Sequence, residues 1–207
     1  MSSIVIHLAN CRKEIPDPQS VLNRYDWSRF GKFDQLQPDD FDCITEKDGQ
    51  IANKLGARVK PEIWKKLCGQ SIAPIKHDWD LIQMSDDQYK DSREITTCTL
   101  KQLPVIPGLA AARLTKGLHR KRPNYIPVCD SRVLKYLCLQ RAKDTSSVII
   151  NCMDSVRSIG LENRDVLKVL QDWLAAKGCH KTSLRILDIL MWSEQPPSKI
   201  VEVSKNA

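Results

Sequence analysis

The stretch that decides the fold runs from Leu103 to Val133: LPVIPGLAAARLTKGLHRKRPNYIPVCDSRV. It reads in three parts. A Pro-Gly turn, Pro104 to Gly108, opens a short helix of small residues over Leu109–Arg120, which Pro123 ends. A basic cluster, His119-Arg120-Lys121-Arg122, closes that helix. An apolar extended run, Tyr125 to Cys129, then delivers one carboxylate, Asp130, to the head of a further helix. A Pro-Gly turn leaves the first N–H groups of the second helix without helical partners. With the helix dipole, the amides of Gly108, Leu109, Ala110 and Ala111 would form a phosphate site that reads no base sequence. Arg113 and Lys116 lie on the following turns. Taken alone, these residues fit an ordinary helix–helix turn equally well.

Outward from this stretch the pattern is helical. Pro38-Asp39-Asp40-Phe41 reads as a helix start, and Phe41, Ile44, Ile51 and Leu55 share a face, which predicts a helix over 39–55 with Gly49 weakening its middle. Lys60-Pro61 opens a short helix ending near Gly69. The stretch 87–103 reads as the helix before the turn, although Thr96, Thr97 and Thr99 are only fair helix formers. Helices follow over 131–143, over 146–159 with a stop at Gly160, and from Leu161 to Gly178. Thr182 or Ser183 caps a last one rich in Leu and Ile. Residues 1–37 read as irregular, broken by Pro16, Pro18 and Gly31. No repeat and no convincing alternating strand is present. The fold class is all-α.

Composition sets limits. The 207 residues suit a single domain with a sizeable core. No apolar run is long enough to cross a membrane, and the first residues carry no basic leader, so the expectation is a cytoplasmic protein without membrane partners. The eight cysteines include no CxxC pair and no His pair at ligand spacing, so no metal site is expected and most of the thiols are expected in the core. The net charge is +7, and it is unevenly spread. From Lys101 to Lys143 ten Lys and Arg face one acid, which predicts a surface for a polyanion.

Helix, IPGL turn, helix of small residues, basic connector and IPVCD resembles the helix-hairpin-helix DNA glycosylase superfamily over residues 95–142. In that family an apolar run follows the hairpin and ends in an aspartate at a helix N-terminus. HRKRPNYIPVCDS also resembles the signature of a poorly characterised bacterial family. The resemblance implies a two-lobed helical domain over 1–195, with the hairpin and Asp segment at 92–133, second-lobe helices over 131–193 joined by N-terminal elements, and a disordered tail at 196–207. It implies Asp130 as the catalytic carboxylate, stabilising the positive charge that builds on the sugar as an N-glycosidic bond breaks. The competing reading of Asp130 is a helix N-cap with no catalytic duty.

The lysine that strand-cutting members use as an amine falls at Ala112, and the hairpin's second glycine is Ala110. A monofunctional enzyme, working as a monomer on double-stranded DNA, is therefore implied. It needs no organic cofactor and at most a monovalent cation at the hairpin. Residues expected on DNA are Gly108, Leu109, Ala110, Ala111, Arg113, Lys116, His119, Arg120, Lys121, Arg122, Ser131 and Arg132. Aromatics expected to hold an extruded base are Tyr25, Trp27, Phe30 and Trp64. Trp173 and Trp192 are expected in packing. The alternatives are a non-catalytic helix-hairpin-helix DNA-binding module and a protein-interaction role.

Overall fold

A computed structural model describes residues 6–8, 13–15, 17–26, 31–139 and 144–194. The chain is mostly helical, as its pattern predicts. Two short antiparallel strands, β1 (Ile6–Leu8) and β2 (Lys13–Ile15), pair with Ile6 opposite Ile15. The helices are α1 (Pro18–Asp26), α2 (Glu46–Lys54), α3 (Pro61–Lys65), α4 (Asp86–Gln102), α5 (Ala111–Lys121), α6 (Ser131–Tyr136), α7 (Thr145–Glu162), α8 (Arg164–Ala175) and α9 (Ser183–Ser193). A 3-10 turn spans Gly31–Gln35.

Several boundaries differ from the expectation, each for a local reason. The supposedly irregular N-terminal region holds α1. Asp17 accepts from the Ser20 N–H at 3.0 Å, and Pro18 stands at the first helical position, so the proline starts a helix instead of breaking one. The helix expected from residue 39 starts at Glu46. Asp40 turns back on the N–H groups of Asp42 and Cys43, and Thr45 with Asp48 forms the true capping box. α7 runs through Gly160, where an added Cβ would lie 2.6 Å from Ile82. α6 stops at Tyr136, and Cys138 follows with φ +55°.

The buried apolar side chains form one continuous cluster. α9 lies in its middle against α1, α6, α7 and α8, with Leu184, Ile186, Leu187, Leu190 and Met191 all inside. A helix that is apolar on nearly every side belongs in such a place. On the other flank α2 packs closely on α5 across Trp64. A Cβ at Gly49 or at Gly117 would come within 2.6 Å of the indole. Those glycines are gaps cut for Trp64, whose Nε1–H donates to the Thr45 carbonyl at 2.7 Å. Trp64 is therefore core and not a base platform. α4 and α5 meet at the Pro-Gly turn, where Gly108 takes φ +86°; α4 packs chiefly on α7, and α5 lies between α2 and α7.

Trp27, Phe30 and the tail 196–207 lie outside the described residues. Of the seven described cysteines only Cys129 and Cys152 are buried, so the expectation that most sit in the core is corrected. No helix among the described residues is long and apolar enough to cross a membrane.

Candidate functional site

α5 fixes the extended run that carries Asp130. At one end His119 Nδ1 bonds the Ile126 carbonyl at 2.7 Å. One turn back, Thr115 Oγ1 accepts from the Cys129 N–H at 3.0 Å while donating to Ala111. Asp130 is thereby placed at the head of α6. Its Oδ1 accepts from the Arg132 N–H at 2.8 Å, and its Oδ2 accepts from Lys116 Nζ at 3.0 Å. Lys116 is 8% exposed at its side chain and Asp130 16%, so the ion pair is screened only in part from water.

This pair faces a cleft of about 1260 Å3. Gly108 of the Pro-Gly turn and Ala110–Ala112 at the head of α5 line one wall, and Asp130 to Arg132 another. α9 contributes Arg185, Asp188 and Trp192, and Tyr25 of α1 completes the floor. The rim is basic. Lys54, Arg58, Arg113, Arg132 and Lys135 all line the cleft, and none of them is in an ion pair with a described residue. Arg58 adopts φ +53°, a backbone state that a non-glycine residue enters at some cost.

Of the expected DNA contacts, Gly108, Ala110, Ala111, Arg113, Lys116, Ser131 and Arg132 do line this cleft. The Leu109 N–H does not serve as a free donor, because it bonds the Ile106 carbonyl at 3.0 Å. Arg113 folds back so that its guanidinium donates to the Gly108 carbonyl. Its positive charge thus lies at the hairpin turn where a monovalent cation was expected.

The basic cluster His119–Arg122 is the main correction. His119, Lys121 and Arg122 are completely buried. Lys121 pairs with Asp48 at 3.0 Å and donates to the carbonyls of Asp40 and Cys43. Arg122 donates to the carbonyls of Ile75 and Phe41 and pairs with Asp42. Arg120 donates to the Leu36 carbonyl and lies over Phe33. These side chains bind the loop that precedes α2 to the end of α5. Their donors answer carbonyls that have no helix or sheet partner. None of the four lines the cleft.

Tyr25 keeps its expected place in the cleft, while its hydroxyl accepts from Arg185. Trp192, expected in packing, lines the cleft with the Arg132 guanidinium 4.3 Å from its ring centre. Sequence reasoning also missed a charged network behind Asp130. Arg185 Nε and Lys181 Nζ both bond Asp34, at 2.7 and 2.8 Å, and Arg185 also pairs with Asp188. Burial raises the Asp34 carboxyl, but Arg185 and Lys181 outweigh it and hold the group below the usual carboxylate range. For Asp188 burial wins. Against the pull of Arg185, and with Asp130 and Asp34 adding to the push, its carboxyl is raised to about 7. The signal was present in the sequence: Arg185 and Asp188 are the two charges inside an otherwise apolar helix, three residues apart.

Among the described residues no group of three His, Cys, Asp or Glu side chains is placed to hold a metal ion. Residues 20–195, nearly the whole described helical array, match a family of unknown function, DUF6308. The chain belongs to the DUF6308 family. No curated protein and no solved structure matches this DUF6308 chain.

Proposed function

We propose that this protein binds double-stranded DNA and is a monofunctional DNA glycosylase, hydrolysing the N-glycosidic bond of a modified base, with a fold of the helix-hairpin-helix glycosylase kind. One observation carries the reading. The hairpin amides, five rim cations and a carboxylate at a helix head all line a single cleft. The N–H groups of Gly108, Ala110 and Ala111, which have no backbone partner among the described residues, suit a phosphate, and Lys54, Arg58 and Lys135 suit the backbone on either side. Asp130 then faces the sugar. The bond cleaves through an oxocarbenium-like state, and a fixed carboxylate lowers its energy and orients the attacking water. Lys116 holds Asp130 in register as a charged hydrogen-bond partner. Tyr25 and Trp192 offer ring faces to an extruded base.

The reading is tested with duplexes carrying alkylated, deaminated, oxidised or hypermodified bases, the released base being read by mass spectrometry. Wild-type protein releases one base class. Asp130→Asn lowers release by about 100-fold or more and keeps DNA affinity. The second reading, a non-catalytic DNA-binding module, draws on the fact that both Asp130 oxygens already have protein partners. Salt-sensitive binding with no release from any duplex would favour it.

A further inference from the structure

Asp188 is a buried carboxyl that the reaction drawn above leaves unused. It lies on the cleft face of α9. Its Oδ2 is taken by Arg185. Its Oδ1 has no hydrogen-bond partner among the described residues, and the residue lines the cavity. Charged groups face it from four elements: Arg185 on its own helix, Asp34 from the 3-10 turn, Lys116 from α5 and Asp130 from the head of α6. The buried Cys129 thiol beside Asp130 also feels its charge.

Arg185 is not the partner of Asp188 alone. The same guanidinium serves Asp34 and the Tyr25 hydroxyl. Asp130 differs in kind, because both its oxygens accept, one from an amide and one from an ammonium. The cleft therefore holds two carboxyls in contrasting surroundings. Such a contrast separates an acid role from a charge-stabilising role.

We propose that Asp188 is the general acid of the cleft, giving its proton to the base as it leaves, and that the substrate class is an uncharged modified nucleobase. This rests on the glycosylase reading above. A cationic alkylated base leaves as a neutral molecule and needs no donor. An uncharged base leaves as an anion unless a ring nitrogen takes up a proton. As the C1′–N bond breaks, its electron pair stays with the base, and the Asp188 proton passes to a ring nitrogen. Asp130 stabilises the sugar cation until water adds at C1′. The proton that this water sheds returns to the Asp188 carboxylate through solvent in the cleft. The sum is one water consumed, one neutral base released and one abasic sugar hydroxyl formed.

The test is single-turnover release of an uncharged modified base and of a cationic N-alkylated purine from duplex DNA between pH 5 and 9. Wild type, Asp188→Asn and Asp188→Glu are compared. The uncharged base leaves wild type with a rate that falls about tenfold per unit above neutral pH. Asp188→Asn slows it by about 100-fold and flattens the profile, and Asp188→Glu restores the slope. Any release of the cationic base is equal in all three. Equal slowing of both bases, no slowing, or release of the cationic base alone overturns the proposal.

Release of neither base by wild type sinks the glycosylase reading and this proposal with it. The wild-type fold is also probed directly by carbon-13 NMR of the aspartate carboxyls, with Asp188→Glu giving the assignment. A carboxyl titrating near neutrality is expected at Asp188, and one titrating below pH 5 overturns the proposal even if the Asn variant does not fold.

Discussion

Lys121 and Asp48 form an ion pair with neither side chain exposed. Burial raises the Asp48 carboxyl despite the amide of Thr45 and the ammonium of Lys121, so its charge there depends on a partner. Removing one half of such a pair leaves an uncompensated charge in the interior. Lys121→Met is expected to lower stability by about 3–5 kcal/mol in urea unfolding, and adding Asp48→Leu to recover most of the loss. His119 gives a pH dependence with a definite sign. Burial, with the Arg185 charge adding to it, depresses the imidazole to about 3. Between pH 3 and 6.5 the unfolded chain therefore binds a proton there that the folded chain does not. Stability from this group is complete above pH 6.5 and declines by about 1.4 kcal/mol per unit below it. The difference in unfolding free energy between wild type and His119→Gln should shrink with that slope as pH falls from 6.5 to 4. A flat difference would contradict a buried neutral imidazole. At this scale sequence reading placed Asp130 at a helix head but misplaced its basic neighbours. Residue type shows that Arg122 is cationic, whereas only the tertiary path of residues 36–48 shows that it meets carbonyls instead of solvent.

α5 is the element on which the site depends. Its Arg113 and Lys116 line the cleft, its Thr115 and His119 hold the extended run, and its Gly117 and Lys121 lock onto α2 and the loop before it. Gly117→Ala would set a methyl against the Trp64 ring and the Asp48 carbonyl. We expect a loss of about 1–3 kcal/mol, read as a lowered urea midpoint, from overpacking. Thr115→Val removes the acceptor of a buried N–H and should cost about 1–3 kcal/mol. It should also loosen Asp130, so on the glycosylase reading base release falls more than DNA affinity does. The start of α9 was legible because local chemistry decides it, Thr182 capping the helix, whereas the Ser85–Gln88 pair that opens α4 was not read. α1 was missed because Asp-Pro was read as a break, although aspartate followed by proline is also a helix start. Gly160 was read as a helix stop and Gly49 as a weak point, while their neighbours Ile82 and Trp64 show that they are points of close approach.

Over the whole molecule the charge is distributed otherwise than the sequence suggests. Much of the excess between residues 101 and 143 is consumed inside the fold, and the exposed cations at the cleft include Lys54 and Arg58, which lie outside that stretch. On the DNA-binding reading proposed above, the salt dependence of binding separates the two groups. Lys54→Gln, Arg58→Gln and Lys135→Gln should each reduce the slope of log K against log salt by about 0.9. Lys121→Gln, at a temperature where it remains folded, should leave the slope unchanged. The all-α class and the Asp130 segment could be read from periodicity and punctuation. The cleft could not, because Tyr25, the Lys54–Arg58 turn and α9 are brought to it from distant parts of the chain.

The close fit of α2 to α5 through Trp64 has a consequence for length discrimination. Lys54 and Arg58 are carried by the end of α2 and the turn after it, and Lys116 by α5. Because Gly49 and Gly117 clasp one indole, the two helices are held at a fixed separation, and on the glycosylase reading the gap between Lys54, Arg58 and the Asp130–Lys116 pair acts as a gauge. On that reading, a polymer whose charge-to-sugar spacing matches the gauge seats on the first encounter. One with a longer or shorter repeat can satisfy the rim or the carboxylate, but not both at once.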